Sequence, residues 1–429
     1  MIRTFQHYDL RDRNTFRMKV YCRTFIEYDS EDDLQELVPA LLPSPDEHIG
    51  GGSDSIGQRG DYRGLSPEND IGGGSDSIGQ RGDYRGLSPE NDIVGGSDSI
   101  GQRGDYRGFS PENDIGGGSN PIRNTARLKH IGGGSNLLFT GDFPGTVLHS
   151  AIRHIDVISD SDDEVLVRVG AGVEFDKLCE WAAGRGLWGP ENLSHIPGEA
   201  GAAAVQNIGA YGVEAKDIIR EVRAFDLVSR RFLTFSVEEC NYGYRDSFFK
   251  SPEGKDRYII TGVVFAFRRN GSPILEYGNL RETLLSRCPC PTPSDVRETI
   301  ISIRRTKLPE IGEVGSAGSF FKNPVVSREV FGNVVRISGR DEASVPHYPV
   351  PGPGGEPWVK IPAAWLIDQC GWKGAVRGGA GVWPSQPLVI INASGEASPE
   401  EILALEDSIR MSVSDRFGIV LSPEVEHIQ

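Results

Sequence analysis

The sequence predicts an α+β protein of two or three domains, and three observations lead there. Strand-like apolar runs at residues 23–28, 128–131, 165–169, 222–227 and 258–267 occur together with helical apolar spacing at residues 34–41, 175–182, 296–303 and 402–413. Two glycine-rich stretches, residues 132–136 and 196–212, suit close approach of backbone to a ligand. Of the 429 residues, the 82 from position 49 to 130 belong to a repeat, and the remaining 347 are enough for a compact chain of that size.

The first helix is expected after the strand at residues 23–28. Ser30 caps it, Glu31, Asp32 and Asp33 make its first turn acidic, and Leu34, Leu37, Val38 and Leu41 form one apolar face. Residues 49–70, IGGGSDSIGQRGDYRGLSPEND, then recur at 71–92 and, with Val94 and Phe109 changed, at 93–114, a period of 22 residues. A shortened unit follows at 115–130, and a last IGGGSN begins at Ile131. Each full unit offers two Ile, one Tyr and one Leu or Phe among polar residues, too little apolar surface to offset the entropy of ordering it. Residues 49–127 therefore read as a flexible, disordered insertion, with a peptide-binding repeat module as the alternative. Only the copy at Ile131 runs into an apolar segment, Leu137-Leu138-Phe139, so the functional loop is assigned there.

In that copy, Gly132, Gly133, Gly134, Ser135 and Asn136 can form a backbone nest for a pyrophosphate, or simply a turn. They match neither GxGxxG nor a Walker loop, so neither a Rossmann site nor a P-loop is supported. A helix over Phe175, Leu178 and Ala182 should end at Gly184 and Gly186. In residues 196–212, Gly198, Gly201, Gly209 and Gly212 alternate with Gln206, Asn207 and Tyr211; small residues let a flat extended cofactor lie on the backbone, or merely allow tight packing. Arg245 invites a surface ion pair as readily as a site role. The helix ending at Lys307 is followed by Pro309, and Lys307 suits a last-turn position by the helix dipole alone.

Residues 315–324, GSAGSFFKNP, concentrate the chemistry: Gly315 and Gly318 free the backbone, Ser319 is a lone hydroxyl, and Phe320 and Phe321 anchor the stretch by burial. Little of it suits a helix or strand interior, although a Gly-rich turn with a solvent-facing serine is the plain reading. Helices are expected at 362–370, closed by Gly371, and after the capping-box pattern of Ser398 and Glu401, with Ile402, Leu405, Ile409 and Val413 buried. Residues 418–425 read as an apolar strand interrupted by a turn and by Glu424, a solvated carboxylate on its own merits.

The net charge of −16 and pI near 5.1 argue against non-specific binding to nucleic acid or an anionic membrane. No apolar run approaches the ~20 residues of a membrane span, and the first residues lack the apolar core of a signal peptide. A cytoplasmic protein is expected. Cys22, Cys179, Cys240, Cys288, Cys290 and Cys370 lack zinc-site spacing, so neither disulfides nor a metal are expected.

Residues 315–324 and 196–212, with YRDSFFK at 244–250, AAWLIDQCGWKG at 363–374 and SPEV at 422–425, resemble the UDP-N-acetylenolpyruvoylglucosamine reductase family, in its order and over most of the chain outside the repeats. The resemblance implies a two-lobed FAD-binding domain of the vanillyl-alcohol-oxidase/PCMH type, from residues 1–48 with 128–149 and from 150–305, and a smaller α+β substrate-binding domain over 306–429. It implies FAD as cofactor, NADPH as co-substrate and a UDP-sugar substrate, with a monomer as the expected assembly.

By the same resemblance, Asn14-Thr15-Phe16 belongs to the flavin lobe. Gly132 to Asn136, Gly198, Gly201, Gln206, Asn207, Ile208, Gly209 and Tyr211 bind FAD, and Tyr277, Lys307, Asn323 and Gln369 contact the substrate. Arg245, Ser319 and Glu424 are the implied catalytic residues, Ser319 as proton donor. Residues 325–360 resemble a segment peculiar to the type I branch, which covers the substrate with an aromatic lid; whether Tyr348 is that lid stays open. Two other readings stand beside this resemblance: a related FAD-dependent sugar or alcohol oxidoreductase, and a repeat-bearing scaffold with a disabled flavin lobe.

Overall fold

The computed structural model describes residues 1–42, 127–310 and 312–429. The 22-residue repeats, and with them the expectation of a disordered insertion, lie outside the described residues.

A first sheet runs in the spatial order Arg3–Asp9, Tyr21–Tyr28, Phe143–Ser150, Leu128–Ile131. Its first pair is antiparallel, and the other two pairings are parallel. Parallel neighbours need a crossover, and the helix Glu31–Leu41 lies on that path. Ser30 caps it by accepting from the Asp33 N–H at 3.1 Å, and its Leu34 and Val38 are fully buried. They pack with Ile26, Tyr28 and Leu148 of the first sheet and Phe225 and Ile259 of the second, forming the seam between the two.

The second sheet is antiparallel throughout, in the order Arg231–Ser236, Ile219–Asp226, Tyr258–Arg268, Glu164–Gly170, Ile155–Asp160. The helix Phe175–Ala183 closes where expected: the Leu187 N–H reaches back to the Ala182 carbonyl at 3.0 Å, and Gly186 takes φ +67°. Phe175, Leu178, Phe265 and Phe267 are fully buried in this core, and each such side chain contributes roughly 1.5–3 kcal/mol on transfer from water.

A third sheet, Gly315–Ser319, Val389–Asn392, Ala380–Val382, Val376–Arg377, and a small one of Val325–Ser327, Pro357–Lys360 and Tyr348–Pro351 build the C-terminal part. The helix Pro399–Phe417 carries the full capping box of Ser398 and Glu401 and buries Ile402, Leu405, Ile409 and Val413. Its core continues into the first sheet, since Cys22, Phe25, Ile131, Phe143 and Val147 belong to the same cluster as Phe320, Phe321 and Ile402.

Two expectations are corrected. Residues 315–319 form a strand, not a loop. Their register on Val389–Asn392 shifts between Ser316 and Ser319, where Gly318 takes φ +71°, so a bulge reconciles the glycine pattern with a sheet. Within the second glycine-rich stretch, Ala200–Gln206 is helical with Ala200, Ala203 and Ala204 buried. The terminal strand is Glu426–Ile428, parallel to Leu137–Phe139. Residues 418–425 form no strand of their own and pair with residues 320–322 through a single antiparallel bridge: the Ser422 carbonyl accepts from Lys322 N–H at 2.9 Å, and Glu424 N–H donates to the Phe320 carbonyl at 2.8 Å.

Candidate active site

The loop of residues 132–136 is held from below by the turn after the first strand. An added Cβ at Gly134, φ +66°, would lie 2.0 Å from the Arg13 carbonyl oxygen, so only glycine fits. Thr15 N–H donates to the Gly134 carbonyl at 3.1 Å, and the buried Asn14 side chain ties its own turn to the Leu10 and Met18 carbonyls. From above comes the second glycine stretch. A Cβ at Gly198, φ +117°, would meet Ser135 Oγ at 2.8 Å, and Ser135 Oγ donates to the Pro197 carbonyl at 3.0 Å. A Cβ at Gly201 would lie 2.8 Å from that of Ala171.

Between them opens a cavity of about 360 Å³, within the roughly 300–1,000 Å³ usual for ligand sites. Gly132, Gly133, Gly134, Ser135, Asn136, Gly201 and Gln206 line it, as do Lys250, Lys322 and Glu424. The residues fit FAD, since the cradle is one that Cβ atoms at Gly132 or Gly133 would narrow from the cavity side, against Ala202 and Glu199. Gly198, Asn207, Ile208, Gly209 and Tyr211 do not line this cavity. Asn207 is a structural knot: with φ +46° it ends the helix Ala200–Gln206, and its side chain bonds Gly243, Glu214 and Lys216.

At one end of the cavity the charged residues meet. Arg245 Nε lies 2.9 Å from Glu424 Oε1, which also accepts from Gln206 Nε2 at 3.3 Å. The other arms of Arg245 reach the Asn207 and Gly209 carbonyls at 3.4 and 2.5 Å. Arg245 itself sits at φ +54°, a conformation that costs a non-glycine residue and that collects at functional sites. Glu424 is held by its backbone: its N–H donates to Phe320, and Asn136 Nδ2 donates to its carbonyl at 3.2 Å.

Sequence reasoning missed Lys250. Its ammonium donates to Gln206 Oε1 at 2.6 Å and to the Arg245 carbonyl at 2.9 Å, which fixes the Gln206 amide with its nitrogen toward Glu424. Burial pushes the Lys250 ammonium below its usual pKa, and the nearby Lys322 adds to that. Lys129 and Lys255 also line the cavity, so four ammonium groups gather there from stretches of the chain far apart in sequence, which no local pattern announces.

Ser319 ends its strand exposed, next to the buried Phe320 whose carbonyl holds Glu424. Its hydroxyl makes no hydrogen bond to Arg245 or Glu424 among the described residues. Tyr211 and Tyr277 meet edge to face at 5.8 Å. Burial raises the Tyr277 phenol, the neighbouring Tyr348 raises it further and the Arg245 guanidinium opposes both, so these three share one surface. Asn323 Nδ2 reaches Tyr244 Oη at 3.4 Å while its Oδ1 accepts from Ala363 N–H at 2.9 Å. Lys360 Nζ stands 5.0 Å over the Tyr244 ring and 5.9 Å over that of Tyr348.

Two expected substrate contacts stand apart from this group. Lys307, exposed at the end of Pro293–Lys307, makes no hydrogen bond or ion pair among the described residues. Gln369 ends Ala363–Gln369 with its carbonyl bound by Arg416. Arg304, one turn before Lys307, was missed; it is half-buried and donates to the His195 carbonyl at 3.1 Å. Among the described residues no helix could cross a membrane and no cluster of His, Cys, Asp and Glu could hold a metal, and all six cysteines are free thiols.

Comparison with known proteins bears on the whole arrangement. A family profile described as FAD binding domain matches residues 123–229, and one described as UDP-N-acetylenolpyruvoylglucosamine reductase, C-terminal domain, matches residues 310–428. The crystal structure of the reductase of that name from Thermus caldophilus superposes with a TM-score of 0.54 at 18% identity, covering 100% of this chain and 99% of the other, a likeness of fold. The UDP-N-acetylenolpyruvoylglucosamine reductase of Porphyromonas gingivalis strain ATCC 33277 is 42% identical over 302 residues, 70% of this chain and 86% of that one. That of Bacteroides fragilis strain YCH46 is 46% identical over 306 residues, 71% of this chain and 89% of its own. With the glycine cradle and the Arg245–Glu424 pair joined by identity of that extent, the chain belongs to the UDP-N-acetylenolpyruvoylglucosamine reductase family.

Proposed function

We propose that the protein reduces the enolpyruvyl ether of UDP-N-acetylglucosamine enolpyruvate to UDP-N-acetylmuramate, a step in peptidoglycan precursor synthesis, with NADPH as the source of electrons. The observation that carries this reading is the meeting of Arg245, Glu424 and Gln206 at the end of the glycine-lined cavity. FAD, when bound, would supply the two-electron chemistry that links NADPH oxidation to reduction of the ether. Gly132, Gly133, Gly134, Ser135 and Asn136 would hold its diphosphate, and Gln206 would stand at its ring.

Hydride arriving at the methylene carbon builds negative charge on the neighbouring carbon and its carboxylate. Three of the five Arg245 N–H groups are committed to Glu424, Asn207 and Gly209, and the rest remain for that carboxylate. Glu424, steered by Arg245 and Gln206, shares the charge across the same group. Ser319 delivers the proton that completes the product. A serine hydroxyl is a weak acid, so this step depends on alignment with a carbanionic acceptor. The position of Ser319 supports the assignment, because it directly precedes Phe320, whose carbonyl accepts from the Glu424 N–H. Tyr211, Tyr277, Tyr348 and Asn323 would form the substrate side, Tyr348 as the aromatic cover, with Lys307 and Gln369 outside that group.

The full-length protein should purify yellow and oxidise NADPH only when the enolpyruvyl UDP-sugar is added, yielding a product heavier by two hydrogens. Flavin reduction by a simple alcohol or sugar, with none of this turnover, would replace the reading by that of a sugar or alcohol oxidoreductase. A colourless protein that takes up no FAD would favour a non-catalytic scaffold. A cytoplasmic monomer belongs to the same reading, checked by cell fractionation and light scattering.

A further inference from the structure

Behind the cradle lies a buried cluster that the reaction above does not use. Glu27 and His149 face each other across the parallel pair of Tyr21–Tyr28 and Phe143–Ser150, and Glu199 is the N-cap residue of Ala200–Gln206. His149 Nδ1 is 2.9 Å from Glu27 Oε2, and its Nε2 is 2.9 Å from Glu199 Oε1. The three residues are 5%, 1% and 7% exposed in the order Glu27, His149, Glu199.

A neutral imidazole carries one N–H. Between two ionised carboxylates it would set a ring lone pair against a carboxylate lone pair, at a cost that burial makes large. The cluster therefore holds one proton more than a neutral ring between two carboxylates. The outer end is ionised: burial disfavours the Glu27 carboxylate, but the hydrogen bond from His149 and the charges of Arg13, His149 and Arg3 outweigh it and hold its pKa below the usual value. Arg13 Nη2 lies 3.1 Å from Glu27, and Arg3 pairs with its other oxygen. The extra proton thus belongs to His149 or Glu199.

The other titratable groups around the cluster do not compete for it. His130, pushed down to about 3 by burial and by the charges of His149 and Lys129, stays neutral and shares a 2.9 Å hydrogen bond with Tyr28, whose buried phenol stays protonated. Glu31, which also faces Tyr28, is engaged by Arg223 and Thr261 and held ionised by them.

The inner end opens on the cradle. Glu199 belongs to the cavity wall, and its Oε2 would lie 3.3 Å from a Cβ placed on Gly132. A bare carboxylate there would repel a diphosphate across a short, poorly screened distance.

We propose that Glu27, His149 and Glu199 form a proton relay that couples cofactor binding to pH: the buried proton lets Glu199 meet the FAD diphosphate neutral or charge-compensated, and its loss weakens binding. The inference rests on the FAD reading above. The bound state holds the proton more tightly than the free state, so affinity falls as pH rises, by up to about tenfold per pH unit for one proton. These residues position the cofactor and touch no reacting atom of the substrate.

Release of FAD from the full-length holoprotein, followed by the gain in flavin fluorescence between about pH 6 and 9, tests this. The wild-type dissociation constant should climb by up to about tenfold per unit over part of that range. Glu199→Gln, close in shape but unable to ionise, should keep FAD at high pH and flatten the profile to within about twofold. His149→Gln should weaken FAD at every pH, since Glu199 then faces the diphosphate without its partner. Rebinding of FAD in weakly buffered solution should take up about one proton in the wild type and none in Glu199→Gln. A flat wild-type profile, or an unchanged slope in Glu199→Gln, overturns the relay and leaves the cofactor reading standing. Absence of bound flavin at every pH overturns both.

Discussion

The cofactor cavity and the face proposed for the substrate are built by different means. The cavity is shaped by backbone: Gly134, Gly198 and Gly201 sit where a Cβ would collide with Arg13, Ser135 or Ala171, so its form is fixed by packing. The substrate face is shaped by long side chains from separate elements. Tyr277 is 54% exposed, Tyr348 50%, and Lys307 points to solvent. A nucleotide cofactor that stays bound is served by a rigid mould, whereas a substrate that must enter and leave is served by groups that gather around it.

The sharpest test of that contrast is Ser319→Ala. Product formation should fall by about 10²–10⁴-fold, while reduction of the flavin by NADPH, followed by stopped-flow absorbance, stays nearly intact. If both half-reactions slowed equally, the separation of cavity and face would fail. Arg245→Lys should cost roughly 10²-fold in kcat, because an ammonium cannot hold Glu424, two carbonyls and a carboxylate together. FAD content should change little.

Two glycines with nearly the same φ then probe the mould alone. Gly134→Ala, at φ +66° with a carbonyl oxygen in the way, should strip FAD from the purified protein, read as lost flavin absorbance. Gly318→Ala, at φ +71° with nothing within 4 Å, should cost only the conformational penalty, about 1–2 kcal/mol in thermal or denaturant melts. The smallest effect is expected from deleting residues 49–114. Loop-closure entropy changes slowly with length, so steady-state activity should stay within about twofold, and a collapse would make the repeats part of the mould.

Legibility of the chain followed the range of the signal. Ser30, Ser398 and Glu401 announced helix starts because a cap acts within three residues, and the stripe from Ile402 to Val413 is read at helical spacing. The strand Gly315–Ser319 was missed because its partner, Val389–Asn392, lies some seventy residues on and supplies the hydrogen bonds that glycine propensity argues against. The helix Ala200–Gln206 was missed for a related reason: seven residues are marginal alone, and burial of its alanines sustains it.

The site divides along the same line. The glycine cradle could be suspected from its letters, though five copies of them occur and only the copy before Leu137-Leu138-Phe139 lines the cavity among the described residues. Roles for Arg245, Ser319 and Glu424 came from resemblance alone, because 245 and 424 are brought together only by the fold. Lys250, Arg304 and the Glu27–His149–Glu199 cluster had no local signal at all, each depending on partners far along the chain.

The pairing of Glu426–Ile428 with Leu137–Phe139 sets an order of events during synthesis. One wall of the cavity, including Glu424 and Glu426, is made of residues synthesised long after the glycine loop at 132–136. The earlier parts can acquire their own cores while translation proceeds, but the dinucleotide has no finished berth until Glu424 and Glu426 dock, so its capture reports that distant parts of the chain have come together.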